Sequence, residues 1–171
     1  MISTRAATLL LAMTGAAVLA PPVIAADTVM TTQDTLLDRI QIEDLMRDYY
    51  TDLTATERHA IDRYWAKDSE FHVAGQVIKG RDAIAALYDG MERAAGSGET
   101  LTMLLGNPII RVDGNRAEMD AIYTGIMNVA PDQAPRFFEQ GRDHCEFIKE
   151  NGRWFITKRV LTNLSHAPAE H

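Results

Sequence analysis

The chain has 171 residues, with 24 acidic side chains against 17 basic ones, a formal net charge of −7 and a single cysteine. That balance, without a basic cluster, argues against nucleic acid and anionic membrane surfaces as partners. The lone Cys145 cannot form an intramolecular disulfide.

Residues 1–25 read as a secretory leader. Arg5 supplies the positive end, Ala6 to Leu19 is an uncharged apolar run, and Pro21 and Pro22 stop any helix ahead of the small residues of Val23-Ile24-Ala25-Ala26. The run is shorter than the ~20 apolar residues of a bilayer span. An exported protein, periplasmic or secreted, is therefore expected, with no membrane contact after cleavage. Residues 26–171 then form one domain, with a core over 36–163 and a fraying tail over 164–171.

Apolar spacing predicts a first helix from Leu36 to Leu53, capped by Asp34 or Thr35, with Leu37, Ile40, Leu45, Met46, Tyr49 and Leu53 on one face. A second helix is expected from Glu57 to Trp65. Ser69 to Ala74 alternates as a strand, Gly75 turns the chain, and Gln76 to Ile78 pairs back. A third helix follows from Asp82 to Arg93. From Thr100 onward the chain is strand after strand, bent at Asn107-Pro108 and turned at Asp113-Gly114 and Asn151-Gly152. This order is an α+β fold: three N-terminal helices packed on a strongly curved, mainly antiparallel sheet that leaves a conical apolar pocket.

The segments IEDLMRDYYTDL, RYWAKDSEFHVAGQVIKGRDAI and FIKENGRWFITKR resemble the SnoaL-like family of the nuclear-transport-factor superfamily, the cystatin-like α+β cone. The resemblance runs in unbroken order over residues 36–163, and WAKDSEF and NGRWFI are its most specific pieces. It implies a ligand entering between helices and concave sheet, and chemistry on cyclic or aromatic substrates without cofactor. It also implies homodimers or homotrimers packed through the outer sheet face. Relatives include polyketide cyclases, scytalone dehydratase, ketosteroid isomerase, limonene epoxide hydrolase and a hexachlorocyclohexane dehydrochlorinase. Their usual acid–base positions are altered here: Thr54 and Met103 replace an aspartate–histidine pair, Val73 replaces the isomerase base, and Met127 replaces a second histidine.

Three polar groups remain as catalytic candidates. Tyr49 matches the helix-one tyrosine that donates to an oxyanion in isomerase-like relatives. Asp143, in phase with Cys145 and Phe147, becomes a usable base in an apolar pocket unless a cation holds it ionised. Arg159 matches a pocket arginine and is its partner. A two-residue Asn151-Gly152 turn sets His144 opposite Arg159, whereas a three-residue turn with a bulge sets Asp143 there. Tyr123, Trp65, Phe71, Val73, Met103, Met127, Cys145 and Asn163 are the expected substrate contacts, for a small apolar or aromatic ligand. His72 and His144 lack metal-ligand spacing and belong on the outer face, His59 belongs on an exposed surface, and Asp52 points away from the family's acid position. The expected activity is a lyase, dehydratase or isomerase working by acid–base chemistry on a cyclic, phenolic or polyketide-like compound. The alternative is a non-catalytic carrier that has lost the aspartate–histidine pair.

Overall fold

The structure, a computed structural model, describes residues 31–54, 61–94, 100–128 and 132–166. The expected leader, His59 and the first part of the expected second helix fall outside the described residues.

Helix α1, Gln33–Thr54, begins three residues ahead of expectation because Thr32 caps it. The Thr35 amide donates to the Thr32 hydroxyl at 3.3 Å and the Thr32 amide donates back to Thr35 at 3.1 Å, a reciprocal cap. Asp34 sits in the first turn, where the helix dipole favours a negative charge. Ile42, Met46, Tyr49 and Tyr50 are its buried stripe, the i, i+4, i+7, i+8 pattern of one helical face. Leu37 and Ile40 were expected on that face, but they are 63% and 47% exposed. At 100° per residue they lie across the helix from Ile42 and Met46.

The described part of the expected second helix is a 3-10 turn, Ile61–Tyr64, and Trp65 already belongs to strand β1, Trp65–Val73. The regular helices among the described residues are therefore two: α1 and α2, Arg81–Ala94. The remaining strands are β2 (Gln76–Lys79), β3 (Thr100–Asp113), β4 (Arg116–Asn128), β5 (Arg136–Glu150) and β6 (Arg153–His166). They form one mixed sheet in the order β2-β1-β6-β5-β4-β3, parallel only at β1–β6. The sheet is open. The tail is shorter than expected, since Ser165 and His166 still pair with Gln140 and Glu139.

Register on β5–β6 decides which side chains meet Arg159. Asn151 and Gly152 both have positive φ, 51° and 79°, so the hairpin is a two-residue I′-type turn. Up to Phe147↔Ile156 the pairing follows that turn; then Thr157 is an extra residue, and the ladder resumes at Glu146↔Lys158. The Thr157 hydroxyl fixes this bulge by donating to the Glu146 carbonyl at 3.1 Å. Cys145, rather than His144 or Asp143, therefore stands opposite Arg159. The single extra residue turns Arg159 onto the inner face, diagonal to Asp143.

Asp38 fastens α1 to the far end of this hairpin. Its carboxylate accepts the Trp154 indole N–H at 3.0 Å and a hydrogen bond from the Lys149 ammonium. The Lys149 bond lowers the Asp38 pKa against the opposing effect of burial, with the Trp154 N–H adding to it. A depressed carboxylate contributes stability above its unfolded pKa of about 4 and loses it as pH falls through the folded value. Asp38→Ala should therefore cost about 1–2 kcal/mol at neutral pH. In urea unfolding the wild type and variant should converge as the pH drops below that of a free carboxylate.

Candidate active site

Six elements deliver side chains to one inward cluster. α1 supplies Tyr49 and Tyr50, β1 Trp65 and Phe71, α2 Tyr88, β4 Tyr123, β5 Asp143 and Cys145, and β6 Arg159; each is at most 4% exposed. Arg159 and Asp143 form its centre, each 1% exposed. Arg159 Nε donates to both carboxylate oxygens, at 3.0 and 3.1 Å, and Nη2 donates to Oδ2 at 2.8 Å. Tyr50 closes a ring with this pair: its hydroxyl accepts from Arg159 Nη2 and donates to Asp143 Oδ2, both at 2.7 Å. The Cys145 thiol donates to Oδ1 at 3.2 Å.

Aromatic faces enclose the cation. The guanidinium carbon lies 4.7 Å from the Tyr49 ring centroid, 5.1 Å from Tyr50 and 5.6 Å from Phe71. Burial acts to lower the Arg159 pKa, but Asp143 and the tyrosines outweigh it and hold the group well above its ordinary value. Burial pushes the Tyr49 and Tyr50 phenols well above 10, and it also raises Tyr88. The Cys145 thiol rises through burial and the Asp143 charge. The phenols and the thiol thus keep their protons at neutral pH, and those of Tyr50 and Cys145 are donated to Asp143.

Of the predicted catalytic residues, Asp143 and Arg159 meet, through a register that neither reading of the turn gave. Tyr49 contributes its ring beneath the guanidinium, while its hydroxyl pairs with Tyr88. Tyr50 was missed. Adjacent tyrosines on a helix lie 100° apart, and only the bulged register shows that the second one reaches the carboxylate. Tyr88, on α2, was not among the predicted site residues. Trp65, Phe71 and Cys145 join the cluster, whereas Val73, Met103 and Met127 are only partly buried. Asn163 is exposed and accepts a hydrogen bond from the Tyr123 hydroxyl. Burial, followed by the nearby Glu139 charge, pushes Tyr123 up to about 12. Of the remaining histidines, His72 bonds Glu70 at 3.0 Å, and His144 bonds Asp120 at 2.8 Å beside a depression of about 540 Å³ lined by Ile109, Ile122, Arg142 and Thr162. Asp52 accepts from Arg63 at 2.7 Å and from Tyr64 at 2.6 Å, away from the central pair.

A family model for the SnoaL-like domain matches residues 34–160, and the chain belongs to that family. Its members include isomerases and dehydratases that need no cofactor. Among solved structures, it is similar to an NTF2-like protein with a cystatin-like fold from Novosphingobium aromaticivorans. That protein is 25% identical over 78% of this chain and 86% of its own, with a TM-score of 0.66. A candidate scytalone dehydratase from the same organism is 19% identical over 82% and 93%, with a TM-score of 0.68. ActVI-ORFA from Streptomyces coelicolor is 13% identical over 76% and 97%, also at 0.68. No curated protein matches the sequence. Together these establish the cone-like NTF2 fold with its curved mixed sheet.

Gly141 creates the niche that Tyr123 occupies. A Cβ there would lie 2.5 Å from the Tyr123 ring and from the Thr162 carbonyl, so no side chain fits while both hold their places. Gly141→Ala should cost about 1–3 kcal/mol in urea unfolding. The near-ultraviolet circular dichroism should also change as the Tyr123 ring is displaced.

Proposed function

We propose that the protein is an exported lyase, dehydratase or isomerase that needs no cofactor. It acts by acid–base chemistry on a small cyclic, phenolic or polyketide-like substrate held against Tyr50, Asp143 and Arg159. One observation carries this reading: a complete ion pair lies in the core, at 1% and 0% side-chain exposure. Replacing such a pair by well-packed apolar residues is often neutral or stabilising, so packing alone gives little reason to keep it.

The engaged carboxylate shapes the chemistry. All of Asp143's acceptor directions are taken by Arg159, Tyr50 and Cys145, so a substrate proton reaches it through Tyr50. In this step a substrate C–H bond breaks, its proton goes to the Tyr50 oxygen, and the Tyr50 proton passes to Asp143 Oδ2. The electron pair left on carbon moves to a substrate carbonyl oxygen, or expels hydroxide or halide from the neighbouring carbon. Arg159 then faces an anion both before and after transfer: first Asp143, then the substrate oxyanion. Proton return at another carbon gives isomerisation, and protonation of departing hydroxide gives water. Tyr49 positions the guanidinium by its ring. Phe71, Trp65 and Tyr123 supply the apolar wall, with Cys145 beside the carboxylate and Val73, Met103, Met127 and Asn163 towards the rim.

The engaged lone pairs also favour a second reading, a carrier that binds its ligand without changing it. Export is part of the proposal, and the intact mass of the periplasmic or secreted form should lack residues 1–25.

Asp143→Asn is a poor test, since it leaves a buried guanidinium unpaired at a cost of about 3–5 kcal/mol. Tyr50→Phe removes one hydroxyl and keeps the ion pair. Incubated with a panel of phenolic, diaryl, terpenoid and polyketide-like compounds and followed by mass spectrometry, the wild type should eliminate water or hydrogen halide, or isomerise a compound at constant mass. Tyr50→Phe should turn over about 10²–10⁴-fold more slowly. Full activity in the variant would refute the relay; tight binding with every compound intact would establish the carrier.

A further inference from the structure

The hydrogen-bonding groups of the cluster do not balance. Asp143 is the full acceptor, and Arg159 Nε, Arg159 Nη2, Tyr50 and Cys145 already occupy it. Two nitrogen donors of the cluster are buried without a partner among the described residues: the Arg159 Nη1 amino group and Trp65 Nε1. The Tyr49–Tyr88 hydroxyl pair adds a third donor, because whichever phenol donates, the other proton is left over. A buried, unpaired donor costs about 1–3 kcal/mol, so this surplus calls for a compensating group.

The side chains that carry these donors pack around the same two rings. Trp65 packs 6.1 Å from Tyr49 and 5.6 Å from Phe71, centroid to centroid. Tyr88 packs 6.3 Å from Tyr49 and 5.9 Å from Phe71. The Arg159 guanidinium stands over both, at 4.7 and 5.6 Å.

We propose that the deep end of the site takes a ligand oxygen that accepts hydrogen bonds and carries no proton of its own, with Arg159 Nη1 and Trp65 Nε1 as its partners. The ligand class is a ketone, enolate, phenolate or carboxylate attached to an apolar ring system. An alcohol or amine at that end adds donors to a place that already has too many. This inference rests on the inward cluster being the ligand site, as proposed above, and it makes Trp65 a specificity-determining residue.

The test compares 2-acetylnaphthalene with its hydrocarbon isostere 2-isopropenylnaphthalene, each titrated into the full protein by calorimetry. The ketone should bind at least ~10-fold more tightly, the scale of one well-made hydrogen bond. Trp65→Phe should cut that preference, read as the ratio of the two affinities, several-fold. If this variant does not fold, 3-benzothienylalanine at position 65 keeps the ring's shape without the N–H. Equal binding of the two probes, or a preference that Trp65→Phe leaves intact, overturns the acceptor site while the enzyme and carrier readings both stand. Binding of neither probe at millimolar concentration overturns the acceptor site together with the ligand site it rests on.

Discussion

The buried Asp143–Arg159 pair constrains the rest of the molecule more than any other contact. Stripping both ions of water costs several kcal/mol each, and that cost is offset only if the geometry satisfies nearly every donor and acceptor. Satisfying it draws in three separate parts of the chain. The Thr157 bulge turns Arg159 inward, α1 brings Tyr50 against the carboxylate, and β5 holds Asp143 and Cys145 on the same face. Helix docking and strand register are thereby coupled. A helix that slid along the sheet would leave the carboxylate short of a donor, and an unbulged strand would turn the guanidinium towards the solvent face.

The aromatic enclosure follows from the same charge. A guanidinium out of water is best placed over ring faces, and Tyr49, Tyr50 and Phe71 all present theirs to it. Gly141 gives up its own side chain so that Tyr123 can lie beside Asp143 on the inner face. The positions where relatives place acid–base groups are Thr54, Val73, Met103 and Met127 here; the last three are partly buried and apolar. The charge that this chain retains therefore lies on β5 and β6 and reaches α1 through Tyr50. A fold that accepts different site chemistries at different depths of one cone accommodates such a change without altering its topology.

Much of the fold was legible because long strands alternate with period two and end at Gly-containing turns. The family resemblance rested on contiguous segments of that same pattern. Errors arose where a small local choice carries a large geometric consequence. Leu37 and Ile40 fit a helical period but belong to the face opposite Ile42 and Met46, and nothing in α1 alone says which face the sheet covers. The Ile61–Tyr64 segment has helical spacing, yet Trp65 begins pairing with Ile156 at once. The bulge at Thr157 has no Gly or Pro to announce it, so both registers inferred from the turn missed Cys145 as the partner of Arg159. Tyr50 stayed hidden for the same reason, since its role exists only once that register is known.

On the proposed function, the Asp143–Arg159 pair serves the site, and a well-packed apolar pair would serve the fold as well. The most direct test is the double variant Asp143→Leu/Arg159→Met, followed for melting temperature and for turnover or ligand binding in parallel. Replacing both charges by apolar groups of similar size should leave stability unchanged or higher, and both turnover and binding should be lost. A double variant that fails to fold would show the pair to be a structural requirement. One that folds and retains its activity would contradict the account outright.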